Sequence, residues 1–486
     1  MKKKMRVLAP VLALTLALSA CGGGSGGSGS SGGKTDTPNT GAAGGGTTTK
    51  TEAKDTITAL LPPVSANFQD SFSTMEKEFN ALYPNLTLKI EPASWEDMTQ
   101  KLDTQVNAGS PPDIAFIDAS GISKYVDQGM LMDITETAAK EMIEDFDTGP
   151  LDYMKMGDKL YGFPAYMEIH ALGGNKQFME EAGIDYKKVQ KEGWTYEEFR
   201  EAIKKGVVKE GDQTKRYGFV FATAGVTSKD YLNILVKNAG MPAAFDKDLK
   251  YAYTSKNFLG VLKAIREMID DGSMPKELSS VDAGKRWNMF LTGETMITGK
   301  GMATFENSAN KNNEKIKAND GSAVQGSIPV DYIVLPVPTF LGSEPKSSAA
   351  VGGYVTFRGK KESTPEHIDN VVKAAYFLSS GKVAATTNND LFVAHITKSG
   401  REAAKAMTIN RNPDNVAAVE TLLSHATPAR PDIPTDLGAK AIKLEDEVMI
   451  PKLQALLAGE ITPEAMHDAL KAAAIQTFGE DGVVKD

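Results

Sequence analysis

The five histidines, His170, His367, His395, His425 and His467, include no pair three or four residues apart. A metal site built on imidazoles wants that spacing, or acidic partners close by. No HExxH, EF-hand or phosphate-loop string occurs in the chain. Two Ser-x-x-Lys strings, Ser308 to Lys311 and Ser379 to Lys382, match a serine–lysine dyad. Both fall in polar or helix-end contexts, where the motif loses its chemistry. Gly22-x-Gly24-x-x-Gly27 and Gly23-x-Ser25-x-Gly27 imitate a dinucleotide fingerprint and a nucleophile elbow, without the flanking strand and helix either needs. What remains is binding chemistry. Asp118 and Ser120 follow a buried strand, the place from which residues of an open α/β sheet reach a ligand crevice; the competing role is a helix cap. Trp287 and Phe305 suit stacking on a ligand ring, against the competing role of core aromatics.

The elements that must position these residues follow an α/β grammar from Asp55 onward. Ile57 to Leu61 reads as a buried strand, and Phe68, Phe72, Met75, Phe79 and Leu82 recur at helical spacing. Leu86, Leu88 and Ile90 alternate as a strand. Ser94 with Asp97 starts a second helix, carrying Trp95, Met98, Leu102 and Val106 along one face. Ile114 to Ile117 is again strand-like, so a largely parallel sheet with helices on both sides is expected. Thr195 with Glu198 forms a capping box, and Phe258, Leu262, Ile265 and Ile269 line a helix closed by Gly272. Thr364-Pro365-Glu366 and Thr462-Pro463-Glu464 place Pro at the first helical position after a Thr cap; the first of these helices runs through Val371, Val372, Ala375 and Leu378 to Gly381.

The N-terminus carries an address. Lys2, Lys3, Lys4 and Arg6 precede a short apolar stretch from Val7 to Leu18, too short to span a bilayer and fitting for a secretory signal. Leu18-Ser19-Ala20-Cys21 resembles a bacterial lipobox, in which the cysteine is lipidated and the chain is cut just before it. Cys21 is the only cysteine of the 486 residues, which excludes an internal disulfide framework and multi-thiolate metal sites. Residues 22–54 hold twelve Gly, four Ser and seven Thr, with no apolar residue larger than Ala. Such a segment cannot offset the entropy of ordering itself; it reads as a tether of roughly 30 Å end to end. Cleavage after Ala20 removes four positive charges and takes the formal charge from −9 to about −13. An acidic body argues against nucleic acid as a partner and leaves membrane attachment to the lipid.

Several segments together resemble the extracellular solute-binding proteins of ABC importers, the family that includes maltose-binding protein. Phe79 to Asn85 is similar to the family's "F…YPN" helix end, Ala108 to Ile114 to "G.PPD", and Gly129 to Thr135 to "G.L.DLT". Tyr161 to Pro164 followed by Asn175-Lys176 resembles "YG.P…YNK", Gly193 to Phe199 "TWEEF", Gly293 to Met296 "GE.AM", and Pro428 to Asp432 "LPARPD". The resemblance covers most of residues 55–478. It implies a two-lobed periplasmic-binding-protein-like α/β fold (type II), each lobe a mixed, mostly parallel sheet flanked by helices. The expected organisation is a signal peptide at 1–20, a lipidated Cys21 with its tether to 54, lobe 1 from 55–163 and about 350–428, and lobe 2 from 164–349 and about 429–486. Crossings are expected near Phe163–Met167, Ala349–Tyr354 and Ala426–Pro434, the last stiffened by Pro428, Pro431 and Pro434.

By the same resemblance Glu168, four residues after Pro164, stands where maltose-binding members accept hydrogen bonds from sugar hydroxyls. Tyr354 is expected to line the cleft, and Arg430 to fix the third crossing and reach the ligand. Three departures thin the aromatic ladder of those members. Ala303 stands at the "GPW" tryptophan, "LYYNK" has become Leu172 to Lys176 with a glycine pair, and charged residues around Asp446 and Glu447 replace a C-terminal aromatic. The implied protein is a monomeric receptor, lipid-anchored on the extracytoplasmic face of the cell membrane. It captures a small polar solute, a sugar or oligosaccharide, for an importer's permease subunits, without metal or cofactor. The alternatives are a ligand-sensing lipoprotein reporting to a signalling partner, and a secreted glycoside-processing enzyme using paired carboxylates.

Overall fold

The computed structural model describes residues 54–64, 68–95, 97–225, 227–241, 244–359, 363–408, 411–427 and 429–485. The expectations for the signal segment, for Cys21, for the tether up to residue 53 and for Pro428 lie outside them.

Along the chain run β1 (Asp55–Leu61), α1 (Phe68–Leu82), β2 (Leu86–Pro92), α2 (Met98–Ala108), β3 (Ile114–Asp118) and α3 (Ile122–Asp127). A fourteen-residue strand follows, β4 (Gly162–Asn175), then α4 (Tyr196–Lys205), β5 (Val208–Glu210), β6 (Gln213–Phe221), α5 (Thr227–Lys237), α6 (Lys256–Asp270) and α7 (Ala283–Leu291). The last part holds β7 (Thr295–Gly301), β8 (Tyr332–Leu335), β9 (Ser348–Thr356), α8 (Pro365–Ser379), α9 (Pro413–Ser424), α10 (Thr435–Leu444) and α11 (Pro463–Phe478).

Nine strands form one mixed sheet in the order β2-β1-β3-β9-β4-β7-β6-β5, with β8 also on β4. β1 lies parallel to β2 and β3, and β6 parallel to β7, as strand–helix–strand units require. β9 runs antiparallel to both β3 and β4 and joins the two halves. β4 is shared: Gly162–His170 pairs with β9 except at Ala165, and Ala171 onward pairs with β7 and β8.

Two large apolar cores flank this shared strand. One gathers Phe79, Leu88, Ile114, Phe163, Tyr354 and Val371. The other gathers Phe199, Phe219, Tyr231, Phe258, Leu453 and Met466. A third, smaller core of Ile169, Ala171, Phe290, Tyr332, Ala418 and Leu422 sits at the junction. α9, inside the stretch expected in lobe 1, packs on this third core. Its Asn415 donates to the Tyr332 carbonyl (3.0 Å) and accepts from the Val334 N–H (2.9 Å), binding the helix to β8. The glycine pair of β4 has a steric cause, since a Cβ on Gly173 would stand 2.4 Å from the Tyr332 ring.

The caps form where the residues indicate. Thr195 and Glu198 make the reciprocal capping box of α4, Thr364 accepts from the His367 N–H with Pro365 in the first turn, and Thr462 accepts from the Ala465 N–H. Two positions differ. Leu82, at the last position of α1, is 60% exposed, because Tyr83 takes the inward place and its ring meets Phe79 at 5.0 Å. Ser94 and Asp97 do bond each other (2.8 Å), but in a turn before the helix, which starts at Met98. Trp95 therefore leaves the buried face of α2 and is 38% exposed.

Candidate functional site

The period of two along β4 puts Tyr166, Glu168 and His170 on one face. Across the ladder they oppose Gly352, Ala350 and Ser348. Small partners leave Glu168 free of a large cross-strand neighbour, yet it is only 5% exposed. Its Oε1 has no hydrogen-bond partner among the described residues. Desolvation pushes the Glu168 carboxyl up to about 7, with Lys300 pulling it down and Asp230 pushing it up.

Three charged residues converge on this face. Asp230 and Lys237 stand seven residues apart, on one face of α5. Lys300, on β7, pairs with Asp230 at 3.2 Å. Lys237 donates to the hydroxyls of Ser348 and Thr427, both at 3.1 Å. Burial pushes its ammonium down to about 8, with Asp118 pulling the other way. His170, 7% exposed, has no partner on either ring nitrogen among the described residues. Burial and the nearby charges of Lys300 and Lys237 hold its imidazole well below the ordinary histidine range, hence neutral. A third cation, Lys229, is paired with Glu445 in a π-helical turn, Glu445–Met449, that follows α10.

The aromatic side of the site is a wall from Tyr166 through Phe116 to Trp95. Phe116 stacks on Tyr166 (5.8 Å, 28°), and Trp95 meets Phe116 edge-on (5.5 Å, 83°). The wall ends in the indole of Trp95, which is 38% exposed.

The residues expected from sequence divide. Glu168 heads the site, and Asp118 borders it: its charge acts on Tyr166, Lys237 and Lys300. Asp118 also caps the turn Ala119–Gly121 by accepting from the Ser120 N–H at 3.0 Å, so the competing role is real; Ser120 is exposed. Trp287 and Phe305 stack on each other (4.8 Å, 26°) against the third core, and the Arg286 guanidinium covers Phe305 at 4.6 Å. Their faces are thus occupied by protein. Tyr354, expected in the cleft, is 1% exposed inside the first core, because on β9 it faces Phe163 and meets Phe116. Arg430 is bound to Asp432 (2.8 Å) and donates to the carbonyls of Phe245 and Asp246, which ties its segment to residues 245–246.

His170, Asp230, Lys237, Lys300 and Trp95 were missed. The one available signal was alternation from Glu168, which carries His170 onto the same face. Among the described residues no group of three or more His, Cys, Asp or Glu is arranged to hold a metal ion, and no helix is long and apolar enough to cross a membrane.

A two-lobed mixed α/β body with a polar site on its crossing strands is the architecture of periplasmic binding proteins. The chain belongs to the bacterial extracellular solute-binding protein family, which it matches over residues 65–380. A Brucella abortus protein named as a binding protein is 26% identical over 236 residues, 48% of this chain and 55% of the relative. The chain thus spans about half the length of the Brucella relatives it matches. Among solved structures, an ABC substrate-binding protein of Listeria monocytogenes in complex with cycloalternan matches with a TM-score of 0.67 at 18% identity, over 88% of this chain and 99% of that one. A solute-binding protein of Thermotoga lettingae bound with α-D-tagatose matches with a TM-score of 0.68 at 19% identity, over 87% and 100%. The family and these neighbours are binding proteins, and the family is described as extracellular.

Proposed function

We propose that the protein captures a sugar or oligosaccharide at Glu168 and hands it to the permease of an ABC importer, held at the membrane by lipid on Cys21. The observation that carries this reading is the buried Glu168 carboxyl with an unpartnered oxygen on the shared strand. A buried carboxyl without a partner is costly. A ligand hydroxyl donating to it restores the bond, worth about 1.5–3 kcal/mol for a charged acceptor. The exposed Trp95 at the end of the aromatic wall supplies the apolar surface that a pyranose face seeks. The sugars bound by the Listeria and Thermotoga neighbours support the same class.

The test is a calorimetric and thermal-shift panel of mono- and oligosaccharides on the Cys21→Ser chain. A true ligand at one hundred times its dissociation constant raises the unfolding free energy by about 2.7 kcal/mol. A folded protein that binds no carbohydrate overturns the reading.

A further inference from the structure

We infer that the captured carbohydrate carries a carboxylate, as a uronic acid does, and that Lys237 and His170 receive it beside Glu168. This rests on the sugar-binding reading above and names the class of sugar.

Polar atoms on the face of β4 are left over in a particular order. Glu168 offers an unpartnered oxygen, and two residues along the strand His170 offers two unpartnered nitrogens, each residue more than nine-tenths buried. Buried polar atoms of native proteins find partners, and three orphans within three residues on one face mark a place where a ligand supplies them. The two ends differ in charge. At Glu168 the Lys300 ammonium is already matched by Asp230. At His170 the charges that act most on the ring are the cations Lys300 and Lys237.

Lys237 is tied to His170 through register, because Ser348, which accepts its hydrogen bond, stands directly opposite His170. Its two hydrogen-bond partners are neutral hydroxyls, and no ion pair involves it among the described residues. A secluded ammonium bonded only to hydroxyls, with Asp118 acting on it but not paired to it, lacks the contact counter-charge that such groups normally find. A neutral imidazole donates one N–H, Lys237 retains a further donor, and together they fit the two oxygens of one carboxylate. Asp118 and Asp230 limit the charge that the site accepts. One negative charge balances Lys237, whereas a dianionic phosphate would face those two carboxylates and Glu168.

The test is titration calorimetry of the Cys21→Ser chain with glucuronate, galacturonate and digalacturonate, beside glucose, galactose and glucose 6-phosphate. At least one uronate is expected to bind ten times or more tightly than its neutral counterpart and than the phosphate. Lys237→Met is expected to remove that preference, weakening the acid tenfold or more relative to its neutral counterpart. Lys237→Arg, which keeps the charge, is expected to retain it. If Lys237→Met does not fold, His170→Phe carries the same comparison. Neutral sugars binding as well as acids, the phosphate binding best, or a variant weakening both classes alike overturns the inference and leaves sugar capture standing. No binding by any of the six overturns the inference, and no binding by the wider panel of mono- and oligosaccharides either overturns both.

Discussion

Lys300 and Asp230 form an ion pair at 3.2 Å that borders Glu168 and tempers its burial. The pair brings β7 and α5 together at the strand shared by both halves of the sheet, so neither charge is only a surface ornament. Removing Lys300 by substitution to Met strips Asp230 of its partner and Glu168 of its one stabilising cation. Because the Lys300 side chain keeps 22% of its exposure, water softens the loss. A drop of about 1–3 kcal/mol in unfolding free energy is expected, with the Glu168 titration moving to higher pH. Urea melts across a pH series read both; an unshifted titration would mean that the ammonium does not act on Glu168.

Glu168 itself makes stability depend on pH. Its folded-state pKa of about 7 lies above the ordinary 4.5, so the folded protein holds the proton more tightly than the unfolded chain. The contribution is fully present below about pH 4.5 and is lost as pH rises through about 7. The span corresponds to about 3 kcal/mol. Glu168→Gln, which cannot ionise, is expected to gain on the parent by that order at about pH 8 and by little at about pH 5. The same substitution keeps a hydrogen-bonding group but alters its charge, whereas Glu168→Ala is expected to weaken sugar binding at least tenfold. An unchanged dissociation constant for Glu168→Ala removes this residue from the site.

Gly352 is required by the aromatic wall. A Cβ there would stand 2.1 Å from the Phe116 ring, which is itself held between Trp95 and Tyr166. Gly352→Ala is expected to displace Phe116 and to destabilise by about 1–3 kcal/mol. Because Trp95 rests edge-on against Phe116, its emission maximum should move as well. A variant with the parent's emission and melting curve would refute the packing described for this corner.

Cys21→Ser is expected to abolish incorporation of a labelled fatty acid in cells. Export without lipid should then release the protein from the membrane fraction. Lipid labelling that persists in this variant sinks the anchor assigned to Cys21.

Much of the scaffold was legible because its signals are local. The alternation of Leu86 and Leu88, the Thr195–Glu198 box and the Thr-Pro helix starts each depend on residues within a turn or two. The site was legible only at Glu168 and Asp118, through resemblance and position after a strand. Lys237 and Lys300 belong to no motif or spacing that would single them out in the sequence. They became functional candidates only when pairing between strands far apart in sequence brought Ser348, His170 and α5 together. Trp95 failed for the opposite reason: a Ser94–Asp97 turn that looks like a helix start delays the helix and turns the indole outward. Tyr354 looked suited to a cleft by its place after two glycines, but its inward register on β9 decides its burial.

β4 belongs to both halves of the sheet, and its ladder with β9 is irregular at Gly352–Gly353, opposite Tyr166 and Pro164. Mechanically, that makes the strand a torsion rod with its weakest section close to Glu168. Any swivel of one half against the other winds the rod there, within a residue or two of Glu168. Under the function proposed above, a solute bonded to Glu168 stiffens the bending element directly, so that occupancy becomes shape without an intervening lever.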